Sequence, residues 1–410
     1  MGVRYIGAEV QRMEDPRLLT GGGCYVDDIT KNGMLHVAFV RSDHAHANIK
    51  TIDTSIAQEL SGVYGVYTYK NLADSYDLKR MKQLYPAPVI KQNITQFPIA
   101  DQEVCYVGEI LAVVVAENRA SAEDAVETIN VEYDVLPAII DCRLAMEPNA
   151  PKAHTSSENN LVGVIKTSFG DIEDAFKDAD HVFTRSFLQH RGGCHAMECR
   201  GVVSEHDQIS NTLTLWSSTQ CPYLVRRSLA DYLGEAEESI RVIAPDVGGG
   251  FGPKAGFYPE EIIVPLLARS LGRPIKWIED RHEHFVATTT QRDQQWDHEV
   301  ACNTEGVIRG IRGNVTHENG AYVPYGFLLA FTSLTPLPGP YAIPAVDVSL
   351  NVVFTNTTPN SPVRGAGRPY GIYAVERLIE TISNKLKIDP AEVRRRNFVR
   401  ADQMLSLIHI

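Results

Sequence analysis

Apolar and polar positions early in the chain switch between two periods. The stretch VGEILAVVVAENRASAEDAVETINVEYDVLP opens with a continuous apolar run from Ile110 to Ala116 and breaks at Glu117 and Asn118. It then places apolar residues at helical spacing from Ala120 to Thr128 and alternates through Ile129, Val131 and Tyr133. A short apolar run bounded by turn residues predicts a buried strand, and the two periods after it predict a helix and a half-buried strand. Upstream, MLHVAFVRSDHAHANIKTIDT and GVYGVYTYKNL predict further short strands, so the first region reads as α+β.

The pattern then lapses. DCRLAMEPNAPKAHTSSENNLVG is rich in proline, asparagine and serine and holds no period, which predicts a linker over residues 142–164. Beyond it, DIEDAFKDAD predicts a short helix, HVFTRSFLQH and TLTLWSST predict strands, and CPYLVRRSLADYLG predicts an amphipathic helix stopped by its glycine. SIRVIAPDV predicts a strand running into a glycine cluster. A helix over PEEIIVPLLARSLG, a strand at PIKWIED, a strand-rich span through GVIRGIRGNVTHENGAYV and a late helix from Tyr370 to Lys387 follow. The expected divisions are an arm (1–20), a first domain (21–141), the linker (142–164), a second domain (165–404) and an anomalous tail (405–410).

Composition adds exclusions. A chain of 410 residues with 44% hydrophobic and 22% charged residues has material for more than one core. Its net charge of -12 is spread without long like-charge runs, which argues against a nucleic-acid partner. No apolar run reaches membrane-spanning length and the first residues lack a signal-peptide core, so a cytoplasmic location is expected. Seven scattered cysteines do not make a disulfide framework.

Three stretches carry candidate chemistry. In IAPDVGGGFGPKAGFYPEEI, glycines crowd around Phe251, and glycine in such numbers marks tight turning or close approach of a ligand to the backbone. Gly250 to Ala255 fits G-x-G-x-x-A after a strand, which admits a nicotinamide-dinucleotide reading. Pro253 and Pro259 stand where a phosphate-binding helix would already be presenting N–H groups, so that reading ranks second. HRGGCHAMEC and RHEHF bring histidine, cysteine and glutamate together, but at no spacing expected of zinc or iron–sulfur ligands, and no metal-ligating side chain is assigned. His44, His46 and His317 are read as surface or packing residues. In NSPVRGAGRPYGIYAVERLIE, Arg364 and Arg368 bracket Gly365, Ala366 and Gly367, where guanidinium groups and amides can converge on an anion or simply anchor salt bridges.

In combination, RMEDPRLLTGGGCYVDDI, the Val107–Pro137 unit, HAMECRG, LWSSTQCPY, DVGGGFGPKAG, LARSLGRPIKW, ENGAY, GPYAIP, VRGAGRP and DPAEVRRRNF resemble, in order, the molybdenum-cofactor-binding large subunit of the xanthine dehydrogenase and aldehyde oxidase family. The resemblance covers nearly the whole chain. It implies an α/β hammerhead domain over 21–141, followed by the first molybdopterin-binding domain. Gln220 resembles the glutamine that hydrogen-bonds a molybdenum oxygen. Gly249, Gly250, Phe251 and Gly252 resemble the loop lying against the metal centre, and Arg364, Gly365, Ala366 and Gly367 the loop beside metal and substrate.

The implied cofactor is molybdopterin, taken as its cytosine dinucleotide. The implied reaction is hydroxylation of an aldehyde or N-heterocycle with oxygen from water. Electrons would pass to 2Fe-2S clusters and FAD on separate small and medium subunits, in a dimer of heterotrimers. Three departures qualify this. Xanthine-type members carry phenylalanine where Ala366 stands, carbon-monoxide-oxidising members carry cysteine in this loop, and an acidic residue is expected where Ala255 stands. The resemblance also implies a second cofactor domain with a late general-base glutamate. Here the chain closes on LSLIHI, read as an interrupted frame, which leaves a non-catalytic fragment or interaction protein as an alternative.

Overall fold

The computed structural model describes residues 7–404, so the tail at 405–410 and the first six residues of the arm lie outside the described residues. Two large sheets dominate. One is seven-stranded, in the spatial order Ile240–Ile243, Thr212–Ser217, Gly201–Asp207, Ile275–Ile278, Leu35–Arg41, Ile110–Ala116, Val63–Thr68. The other is five-stranded: Leu161–Phe169, Val346–Val353, Ile308–Glu318, Gln294–Cys302, His181–Gln189. A small sheet of Glu103–Val104, Ala47–Asp53 and Asn130–Val135 sits beside the first.

Ile110–Ala116 is buried at every position, as its unbroken apolar run predicts. Its side chains alternate between cores: Val113 and Val115 join the cluster built on helix Glu260–Leu271, and Val114 and Ala116 pack with Ala122 and Ala125 of helix Arg119–Glu127. Asn118 caps that helix by accepting from the Ser121 N–H at 2.9 Å. Strands from before and after residue 141 share the seven-stranded sheet, meeting where Leu35 pairs in parallel with Ile275.

Residues 142–160 contain no strand or helix, as their composition predicts, yet they are anchored rather than exposed throughout. Cys142, Ala153, His154 and Asn160 are buried, and Asn160 Nδ2 donates to the carbonyls of Ala145 and Pro151. A strand, Leu161–Phe169, begins where continued irregularity was expected. Its apolar residues enter the core of the five-stranded sheet beside Val346–Val353, a long-range pairing that local spacing does not reveal.

The expected glycine stop is present at Gly234, which ends helix Pro222–Leu233 with φ of 71°. After the glycine cluster, regular helix begins only at Glu260. The glycines therefore do not open a phosphate-binding helix, which removes the geometric basis of the nicotinamide reading.

Candidate functional site

Parallel pairing brings the predicted residues together. Strands Thr212–Ser217 and Ile240–Ile243 run side by side in the same direction, with Trp216 opposite Ile243. Their continuations leave the same sheet edge, one carrying Gln220 and the other Gly248–Gly252. The start of the neighbouring antiparallel strand Gly201–Asp207 lies there too, since Val202 pairs with Ser217, and it brings Glu198 to that edge.

The contacts are short. Gly252 N–H donates to Gln220 Oε1 at 2.7 Å, and Gln220 N–H donates to the Lys254 carbonyl at 2.9 Å. Arg364 N–H donates to the Phe251 carbonyl at 2.7 Å, locking the arginine loop to the glycine loop. At Gly252, φ is 118° and a Cβ would stand 1.9 Å from the Pro362 carbonyl oxygen, so no side chain fits between the loops. Phe251 and Ala366 hold positive φ of 57° and 52°, strained positions for residues with a Cβ.

Gln220, Phe251, Arg364 and Gly365 are exposed, so the convergence forms an open face. It presents a group of free donors. Among the described residues, the N–H groups of Gly249, Gly250, Phe251 and Gly365 donate to nothing, and no hydrogen bond engages Gln220 Nε2 or the Arg364 guanidinium. Clustered unpaired amides with a guanidinium beside them suit an anionic, oxygen-rich group.

Beneath the loop lies a buried ion pair that sequence reading missed. Lys254, 3% exposed, donates from Nζ to Glu198 Oε2 at 2.8 Å and to Ser218 Oγ at 2.6 Å. Glu198 Oε2 also accepts from Gly248 N–H and Ser218 Oγ–H, each at 2.7 Å. Burial pulls the Lys254 ammonium below its ordinary pKa although Glu198 opposes the shift. The arginine loop has a neutral anchor instead: Val363 N–H donates to Oε1 of the fully buried Gln291 at 2.8 Å, and Gly367 N–H to Thr332 Oγ1 at 3.1 Å. A lysine two residues after a glycine run, followed by none of the helix it seemed to belong to, was the available signal for Lys254.

The two histidine-bearing stretches meet: the His195 ring packs edge-on against His284 and Phe285, and the Arg281 guanidinium donates to the Ala196 and Met197 carbonyls. Cys199 approaches Glu279 and, from the RHEHF stretch, His284. Both Glu279 oxygens are taken, however, by Arg200, Thr288 and His284. Burial opposes charge at Glu279, yet the Arg200 charge and these hydrogen bonds hold its carboxyl well below the ordinary range. Arg200 also pairs with Glu260, which in turn binds Arg41 of the first region. The group works as a buried ion-pair network. His46 and His317 are buried and hydrogen-bonded.

Residues 153–398 match the family model described as molybdopterin cofactor-binding domain, and residues 20–137 match that of the aldehyde oxidase and xanthine dehydrogenase a/b hammerhead domain. The chain is 38% identical over 400 residues to the nicotine 6-hydroxylase large subunit of Paenarthrobacter nicotinovorans, covering 96% of this chain and 48% of that one. It is 35% identical over 421 residues to the carbon monoxide dehydrogenase large chain of Afipia carboxidovorans, covering 97% and 50%. The crystal structure of quinoline 2-oxidoreductase from Pseudomonas putida 86 superposes with a TM-score of 0.90 at 36% identity, over 97% of this chain and 50% of that one. The chain thus spans about half the length of the relatives it matches. With a hammerhead domain followed by a cofactor-binding domain and both candidate loops joined at one edge, the chain belongs to the molybdopterin-binding large subunits of the xanthine dehydrogenase and aldehyde oxidase family.

Proposed function

We propose that this chain forms the hammerhead and first cofactor-binding part of a molybdenum hydroxylase that acts on an N-heterocycle. The observation that carries the reading is the donor-rich face where Gln220, Gly249–Gly252 and Arg364–Gly367 meet. Unpaired amides, a free carboxamide N–H and a guanidinium fit a molybdenum–pterin group, whose oxygens and phosphate are acceptors. When bound, that group supplies two-electron oxidation of a carbon with oxygen drawn from water.

The chain's own residues bind and orient. Gln220 has its carbonyl oxygen committed to Gly252 N–H, which turns its Nε2 donors toward the open face. The N–H groups of Gly249, Gly250 and Phe251 hold acceptors without a side chain intervening, and Arg364 stabilises negative charge developing on a substrate ring or oxygen. Gly365-Ala366-Gly367 carries neither a bulky aromatic nor a thiol, leaving room for a ring and no soft ligand for a second metal.

The heterocycle is favoured over an aldehyde because the relatives at 38% and 36% identity are named for nicotine and quinoline. The cofactor form proposed is the cytosine dinucleotide, with FAD and 2Fe-2S clusters on partner subunits in a dimer of heterotrimers. A cytoplasmic setting is consistent with seven free cysteines and with no helix among the described residues long and apolar enough to cross a membrane.

The test is purification of the full-length protein with its co-expressed subunits, assay of molybdenum and fluorescent pterin, and turnover of heterocycle and aldehyde panels in ¹⁸O-labelled water. Molybdenum, pterin and label in a hydroxylated heterocycle are expected. A pterin-free complex, or turnover confined to aldehydes, contradicts the reading.

A further inference from the structure

A second group of ligand-type side chains lies away from this face, where the small sheet meets the irregular segment 142–160. Oxygen, sulfur and nitrogen atoms of Glu103, Cys105 and His154 lie within 4.8 Å of one another. Cys105 Sγ stands 3.2 Å from His154 Nδ1. His154 Nε2 is bonded to the Ala321 carbonyl, which fixes its proton there and leaves Nδ1 as the acceptor. A tetrahedral zinc with sulfur at about 2.3 Å and nitrogen at about 2.0 Å separates those two atoms by about 3.5 Å, so the pair is already spaced for it within a few tenths of an ångström.

The third side chain is held in the same manner. Glu103 Oε1 accepts from His46 Nε2–H and Thr155 N–H, each at 2.8 Å, while among the described residues Oε2 has no hydrogen-bond partner. Such outer contacts are what orient a ligating carboxylate and imidazole. Cys105 is fixed by its main chain, its N–H donating to Glu109 Oε2 at 2.7 Å and its carbonyl accepting from Asn356 Nδ2 at 3.0 Å. Glu109 is not a fourth ligand, because its other oxygen accepts from Tyr322 Oη–H at 2.6 Å. A cavity of about 220 Å³ lined by Glu103, Glu109, His154 and Tyr322 leaves space for a water to complete the shell.

We propose that Glu103 Oε2, Cys105 Sγ and His154 Nδ1 bind one zinc ion, with a cavity water as fourth ligand, and that this ion staples the small sheet to the 142–160 segment. Sulfur, imidazole and carboxylate together select zinc over magnesium or calcium. Binding releases one proton, that of the Cys105 thiol, since His154 keeps its own on the Ala321 carbonyl. In the zinc-free chain the same thiol donates to His154. The site is independent of molybdenum, and its test reads no turnover.

The full-length protein is stripped with chelator, reloaded with zinc, dialysed, and examined by elemental analysis and zinc-edge X-ray absorption. One zinc per chain is expected, with one sulfur at about 2.3 Å and nitrogen or oxygen at about 2.0 Å. Cys105→Ser removes the sulfur neighbour, and His46→Gln, at a residue that bonds Glu103 and the Pro137 carbonyl but neither Cys105 nor His154, weakens zinc about 10- to 100-fold. Should Cys105→Ser fail to fold, Glu103→Gln, partly exposed and isosteric, decides the matter by its own loss of affinity. Zinc below stoichiometry, a sulfur neighbour that survives Cys105→Ser or vanishes in Cys199→Ser, or unchanged affinity in Glu103→Gln overturns the proposal.

Discussion

The two loops that meet at the open face are built from similar small residues but are held by opposite means. Gly248–Gly252 rests on charge: a desolvated lysine and a glutamate whose single oxygen takes three donors. Val363–Gly367 rests on neutral hydrogen bonds and on shape, since a Cβ at Gly367 would stand 2.3 Å from the Leu329 carbonyl oxygen. The difference teaches how one site can combine precision with separate failure modes. Removing one member of a buried charge pair strands the other, whereas removing a neutral acceptor leaves one N–H unpaired. The loops are joined through Arg364 N–H and the Phe251 carbonyl, and damage that separates them affects both.

The largest effect is therefore expected at the junction. Gly252→Ala forces a Cβ onto the Pro362 carbonyl at a φ of 118° and should cost about 3–5 kcal/mol in stability, with loss of retained molybdenum, read by thermal melting and metal analysis. Next comes Lys254→Met, which strands Glu198. Because Glu198 keeps some solvent contact, at 18% side-chain exposure, the cost should be about 2–3 kcal/mol, below that of a fully buried pair. Adding Glu198→Gln should recover part of it, which a neutral anchor would not allow. Gln291→Leu removes the partner of Val363 N–H and should cost about 1–2 kcal/mol, while Glu198 keeps its contacts.

A pH dependence tests the support beneath the glycine loop separately. Glu261 accepts from Ser217 Oγ–H and Tyr258 N–H just beneath the glycine loop, and burial pushes its carboxyl up from 4.5 to about 7. Between those values the folded chain holds a proton that the unfolded chain has released. Stability therefore falls as pH rises from about 4.5 to about 7 and levels off above. Glu261→Gln should flatten that part of the denaturation profile.

Much of this architecture was legible. Ile110–Ala116 announced itself by seven consecutive apolar residues, and helix Pro222–Leu233 by its period and its closing Gly234. Leu161–Phe169 and Gly201–Asp207 were not foreseen, because their pairing partners lie far away in sequence and decide which residues are buried. Gln220, the glycine cluster and Arg364 could be nominated separately, yet only the parallel register of Trp216 with Ile243 explains why two of them share an edge. Glu198 was weighed only as a metal ligand within HRGGCHAMEC and Lys254 was given no role, since the sequence does not show that the two charges pair beneath the glycine loop.

Crystals of the full-length protein, measured at the molybdenum absorption edge, give the most direct test. An anomalous peak on the face bounded by Gln220, Gly249–Gly252 and Arg364 is the expected result. A molybdenum peak elsewhere in the subunit, with this face filled by packed protein side chains, would contradict it.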